Sequence, residues 1–192
     1  MDSYYDKEKG DHAVDWIERY CTHVKGALGG EPFILEDWQK DDIIRPLFGT
    51  IREDGLRRYR QAYIEVPRKN GKSNLCAAIA LYMLFADGEP GAEIISAAGD
   101  RNQARIVFEI ASAMCETKPK LSGHGKVLRN TIENTNSFYN AISAEANTKH
   151  GFNAHAVILD ELHVFPDSDL YDALKTTSVQ RTPEPVITLT RA

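Results

Sequence analysis

Cysteine is scarce: Cys21, Cys76 and Cys115 are odd in number and far apart, which argues against both a disulfide framework and a thiolate zinc site. Each lies in apolar, helical-looking context, the setting of a buried free thiol in a reducing cytosol. Long hydrophobic runs are also missing. The longest, Leu75 to Ala86, covers 12 residues, against the ~20 that a membrane-crossing helix needs. The first residues, Met-Asp-Ser-Tyr-Tyr-Asp-Lys-Glu-Lys, hold no apolar segment of the signal-peptide kind, so a cytoplasmic location without membrane attachment is expected. Nor is there an excess of positive charge. With 23 Lys+Arg against 28 Asp+Glu the net charge is -5, so a polyanion can be met only by local patches. Internal repeats and low-complexity segments are absent. What remains is a 192-residue chain that is 42% hydrophobic and 27% charged, an ordinary globular composition sized for one large domain.

Residues 1–60 read as an N-terminal helical extension. Asp11 to Cys21 places Ala13, Ile17 and Tyr20 on one face, and Asp37 to Phe48 clusters Ile43, Ile44, Leu47 and Phe48. Between them, the glycines and proline of Gly26 to Pro32 mark a loop or mobile joint. Residues 61–192 then alternate strand and helix. Strands are expected at Gln61 to Val66, Glu93 to Ala98, His155 to Asp160 and Pro185 to Thr190, with helices at Gly71 to Ala86, Arg101 to Cys115 and Ser168 to Val179. A hairpin of Lys126 to Glu133 and Ser137 to Ser143 is joined by Asn134-Thr135-Asn136. Such alternation implies an α/β three-layer sandwich around a mainly parallel sheet.

Two segments carry chemistry. Val66-Pro67-Arg68-Lys69-Asn70-Gly71-Lys72-Ser73 lies between a strand and a helix and ends like a phosphate-binding loop. A glycine there lets the backbone approach phosphate oxygens, the Lys72 ammonium neutralises the β and γ phosphates, and the Ser73 hydroxyl can hold Mg²⁺. Val66 stands where the general pattern has its first glycine, and a bare Gly-Lys-Ser is also what a solvated basic turn looks like. The second segment is Val157-Ile158-Leu159-Asp160-Glu161, an apolar strand delivering two carboxylates at its C-terminal end, where ligands bind in open parallel sheets. Asp160 suits a role on the metal and Glu161 a role on the attacking water, because a carboxylate tied to a cation is a poor base. Acids capping a strand in solvent would read alike. His155 and His163 flank the pair, at a spacing that fits no usual zinc pattern.

Together these residues resemble the ATPase domain of the large terminase subunit of tailed bacteriophages, in the group related to the phage HK97 enzyme, from about Asp11 to the end. In that family the loop is a deviant form, basic before its Gly-Lys-Ser, as Pro67 to Ser73 is. Leu35-Glu36-Asp37-Trp38-Gln39 resembles the family's adenine-recognising segment, where the Gln39 amide reads the base with paired donor and acceptor. Ala97 to Ala104 resembles the segment after the second strand, and Ser143 to Glu145 with Lys149 to Phe152 the run into the acidic strand. Val186 to Ala192 sits at the coupling motif, with Thr188 and Thr190 as sensors of the γ phosphate.

The resemblance implies a P-loop ATPase of the RecA-like class with ATP and Mg²⁺ as cofactors. Arg68, Lys69, Asn70, Gly71, Lys72 and Ser73, with Gln39, would bind the nucleotide. Ser73 and Asp160 would hold the metal, and Glu161, Arg68 and Lys72 would be catalytic. A residue acting in trans on a neighbour's ATP would be Lys149, Arg101 or Arg129. Implied partners are double-stranded DNA, the portal protein, the small terminase subunit and further copies in a five-membered ring, with the isolated fragment a monomer in the host cytoplasm. The nuclease domain of full-length members is expected to lie outside this sequence. For DNA contact the candidates are Arg52, Arg57, Arg58 and Arg60, and the stretch Lys118 to Arg129. Asp160-Glu161-Leu162-His163 also spells the D-E-x-H box, so a helicase fragment is a competing reading. A degenerate, non-hydrolysing P-loop module is another.

Overall fold

A computed structural model describes residues 2–67, 70–99, 101–143, 153–160 and 186–191, with the backbone alone described at 101, 122, 143 and 186–191. Arg68, Lys69, Lys149, Glu161, His163 and the helix expected over 168–179 lie outside the described residues.

The N-terminal part begins with β1 (Ser3–Tyr5) and α1 (Lys7–Tyr20), whose first turn is capped by the Asp6 side chain accepting from the Lys9 N–H at 3.1 Å. Ala13, Val14 and Ile17 form its buried face. The second expected helix is not a single α-helix. A π-helical stretch, Gln39–Ile44, runs into α2 (Arg45–Gly49), with the Arg45 N–H reaching back to the Lys40 carbonyl. The wide turn precedes Pro46, whose missing N–H removes an α-type bond at that point. β2 (Thr50–Arg52) then pairs antiparallel with β1. Strands of three residues carry too little alternation to be seen in sequence.

α1 and α2 meet at glycines. A Cβ on Gly49 would stand 2.6 Å from Tyr5 Cε2 and 2.9 Å from the Asp6 carbonyl oxygen. Gly49→Ala should therefore lower stability by about 1–3 kcal/mol through overpacking, read as a lower denaturant midpoint at unchanged slope. An unchanged midpoint would show that the β1–β2 ribbon yields freely.

Next come β3 (Gln61–Val66), α3 (Lys72–Phe85), β4 (Glu93–Ala98), α4 (Arg101–Thr117), α5 (Pro119–Ser122), β5 (Lys126–Val127), β6 (Thr131–Asn134), β7 (Ser137–Ser143), β8 (Ala156–Asp160) and β9 (Val186–Arg191). The long first hairpin strand expected over Lys126 to Glu133 is split into β5 and β6, because Leu128 turns back to the Thr131 carbonyl. Seven strands form one sheet in the order β3-β9-β8-β4-β7-β6-β5. Pairings from β3 through β7 are parallel, and β7-β6-β5 is an antiparallel meander. The sheet is thus mixed, its parallel part being the part that carries the two motif segments.

α3 buries every residue from Leu75 to Leu84, and α1 packs against its outer side, so that extension and sheet share one hydrophobic core. β8 is buried throughout, as its unbroken apolar run implies. No helix among the described residues is long and apolar enough to cross a membrane.

All three cysteines are free and buried. Burial pushes the Cys115 thiol up to about 11 and the Cys76 thiol well above its ordinary value. A disulfide-exchange reagent should label none of them in the native protein and all of them in denaturant; rapid labelling of the native state would contradict this burial.

Candidate nucleotide site

Parallel pairing aligns the C-terminal ends of β3, β9 and β8. Val66 ends β3, Asp160 ends β8, and β9 runs between them, with Thr190 opposite Glu65 and Thr188 opposite Leu159. The backbones of Thr188 and Thr190 therefore lie between the strand that feeds the loop and the strand that ends in acid. Sequence distance vanishes at this edge: Lys72 and Asp160, 88 positions apart, meet with Nζ 2.7 Å from Oδ1. Both are largely buried, at 13% and 6% side-chain exposure, so the pair is shielded from solvent.

Gly71 precedes α3 with φ +72°, a left-handed conformation that glycine adopts without strain. A Cβ there would meet nothing closer than Gln39 Nε2 at 3.9 Å, so backbone conformation rather than crowding is what calls for glycine. Ser73 lies in the first turn of α3, where unpaired N–H groups and the helix dipole favour an anion. The donor set of Ser73 hydroxyl and Asp160 carboxylate is oxygen alone, which fits a hard cation such as Mg²⁺ that keeps several waters.

Beside the loop opens a cleft of about 720 Å³ lined by Phe33, Ile34, Trp38, Gln39, Asn70 and Asn74 among others. Gln39 is buried at 3% exposure and its Oε1 accepts the Glu36 N–H at 2.9 Å, the return half of a capping box. One lone pair of the amide oxygen is thereby engaged, while the amide nitrogen faces Gly71. The segment is anchored from α1: Glu18 Oε1 accepts the Leu35 N–H at 3.0 Å and pairs with Lys40 at 2.9 Å. Glu18 has no motif to announce it. Of the two readings of Gly26 to Pro32, loop or mobile joint, the structure shows a hydrogen-bonded loop, in which the His23 N–H reaches Glu31, the Gly30 N–H reaches His23, and Thr22 bridges Pro32.

Other candidates fall elsewhere. Arg129 is exposed beside β6, three strands from β8 and so roughly 14 Å across the sheet. Arg101 opens α4 at the same strand-end edge as Lys72. Of the arginines proposed for DNA, Arg57 is spent on Asp87 at 2.7 Å and Arg52 is paired with Asp54, so the cluster offers Arg58 and Arg60, both exposed.

With the strand order and the Lys72–Asp160 contact established, comparison with known proteins is decisive. The family described as the terminase large subunit, ATPase domain, matches residues 37–190. The chain belongs to this family. It is 34% identical over 177 residues to the terminase large subunit of Enterobacteria phage HK97, covering 88% of this chain and 34% of that protein. The crystal structure of the HK97 large terminase superposes with TM-score 0.82 at 30% identity, over 95% of this chain and 37% of the other. The ATPase domain of the Thermus phage P74-26 large terminase gives TM-score 0.55 at 23% identity, covering 79% and 69%. The large terminase of the thermophilic bacteriophage D6E in complex with ATP-gamma-S gives 0.51 at 12%, covering 70% and 32%. These last two show the fold alone. The chain spans about a third of the length of the HK97 protein it matches. Membership in the terminase family displaces the helicase reading.

Proposed function

We propose that this terminase ATPase domain hydrolyses ATP in a Mg²⁺-dependent reaction that drives double-stranded DNA into a phage procapsid. The observation that carries the reading is the 2.7 Å approach of Lys72 to Asp160 at the edge where α3 begins, next to a cleft sized for a nucleoside. Lys72 and Asp160 form an ion pair here. A bound triphosphate would take the ammonium and a bound cation the carboxylate, and their proximity supports assigning both ligands to this edge.

Gly71 and Asn70 would cradle the phosphates with backbone N–H groups, and Arg68 and Lys69 would add positive charge. The base would enter beside Gln39, whose free amide nitrogen can donate to a ring nitrogen. Mg²⁺, held by Ser73 and Asp160, would neutralise charge developing on the β and γ oxygens. Glu161 would take the proton of the attacking water. Thr188 and Thr190 would report the state of the γ phosphate along β9, and Arg101, Arg129 or Lys149 would reach the next subunit's site in a five-membered ring. That ring would act in the host cytoplasm, on the portal, with the small subunit; alone, this chain would be a monomer. The D6E large terminase, similar in fold, is in complex with ATP-gamma-S, which supports ATP as the ligand.

The test is equilibrium binding of a fluorescent ATP analogue with Mg²⁺ titrated in. Saturable, Mg²⁺-dependent binding is expected. Binding indifferent to both Mg²⁺ and loss of Lys72 would leave a degenerate, non-hydrolysing module.

A further inference from the structure

α3 and β8 run antiparallel and are joined by a polar pair at each end. Lys72, at the start of α3, meets Asp160, at the end of β8. At the other pole Asp87, two residues past the end of α3, accepts from His155, the residue before β8, with Nε2 2.7 Å from Oδ2. Both members of this second pair are nearly solvent-free, at 9% and 5% side-chain exposure. Burial acts to raise the Asp87 carboxyl, but the His155 hydrogen bond and the Arg57 charge outweigh it and hold the group below its ordinary value.

Hydrogen-bond ladders to β4 and β9 fix β8 within the sheet. Among the described residues no such ladder holds α3 along the sheet. Its buried surface is apolar, Leu75, Ile79, Leu81, Met83 and Leu84 standing among Ala77, Ala78 and Ala80, and apolar contact is less directional than a hydrogen-bond ladder. Polar ties at its ends add directional constraint to that packing. The Asn134 amide reaches the Leu84 carbonyl at 3.1 Å, but from β6, three strands away from β8. His12 meets Tyr82 at 3.2 Å, from α1 rather than the sheet. The Asp87–His155 pair joins α3 to the strand that ends in Asp160.

Resting on the nucleotide-site reading above, we infer that Asp87 and His155 are positioning residues, which hold α3 and β8 in the axial register that brings Ser73 and Asp160 to one cation. The tie lines a separate cleft of about 460 Å³, whose lining includes Arg57, Asp87 and His155 and none of Lys72, Ser73 or Asp160. Arg57 completes it from the β2–β3 connection, with its guanidinium 5.5 Å from the Phe48 ring centre, and thereby holds the extension rather than β8.

The matched substitutions His155→Asn and His155→Gln test this. The Gln amide nitrogen reaches the place of the imidazole Nε2, and the Asn amide falls short of Asp87. The readouts are the Mg²⁺ concentration for half-maximal binding of the fluorescent ATP analogue, and Tm. His155→Asn should raise that concentration about tenfold, the lower end of what supporting residues of a metal site cost, and His155→Gln should restore most of it. Arg57→Gln should lower Tm and leave the Mg²⁺ dependence as in the wild type. Equal behaviour of the Asn and Gln variants, or an Arg57→Gln shift as large as that of His155→Asn, overturns the inference. A wild type whose binding ignores Mg²⁺ would instead sink the nucleotide-site reading itself.

Discussion

Replacing Lys72 with alanine is expected to weaken binding of MgATP about a hundredfold and to slow hydrolysis about a thousandfold. A fixed cation in a solvent-shielded site meets both the ground-state phosphates and the charge that develops between them. A second effect appears without nucleotide. Asp160, at 6% side-chain exposure, loses the cation 2.7 Å away, and breaking one side of a buried pair costs about 3–5 kcal/mol. Stability and function can be separated by a double substitution, Lys72→Met with Asp160→Asn, which removes both charges. It should recover most of the lost stability and none of the binding. Lys72→Arg should not rescue, because a planar fork does not replace a compact ammonium. Measurement is by analogue titration and denaturant unfolding on the same samples. Wild-type affinity in Lys72→Ala would remove the phosphate from this place.

The second large effect belongs to Glu161→Gln, for which a loss in turnover of about a thousandfold is expected with nucleotide affinity nearly unchanged. General-base removal is worth about 10²–10⁴ in rate. The division of labour follows from the neighbour: Asp160 is paired with the Lys72 ammonium, and a carboxylate tied to a cation accepts a proton poorly. Glu161, one peptide beyond the end of β8, is the next carboxylate in the chain. Glutamine keeps the shape and cannot take the proton. Steady-state hydrolysis alongside analogue binding makes the check, and turnover within tenfold of wild type would place the base elsewhere.

Much of the core was legible because its signals are local. The β3 span Gln61–Val66 and the β4 span Glu93–Ala98 appear as read, since short β-branched runs between turn residues have little alternative. α3 follows from twelve apolar residues behind a glycine that permits its left-handed start. The β1–β2 ribbon and the π-helical stretch were not legible. The ribbon gains its pairing from a contact about fifty positions away, and the widened turn depends on how Pro46 and Gln39 are held by their surroundings.

The site divides in the same way. Gly71, Lys72, Ser73 and Asp160 announce themselves because phosphate and metal chemistry restricts residue type at fixed spacing. Asp87, His155 and Glu18 stay silent: any acid after a helix or histidine before a strand looks alike until the partner's position is known.

From residue order alone came the kind of chemistry, a triphosphate loop and an acid-ended strand, because those groups must be of particular types. The folded chain decided that β9 runs between their two strands, that Lys72 and Asp160 face one another, and that α3 and β8 are tied at both ends. Local composition sets what a segment can do, whereas which segments become neighbours depends on burial and strand pairing across the entire chain.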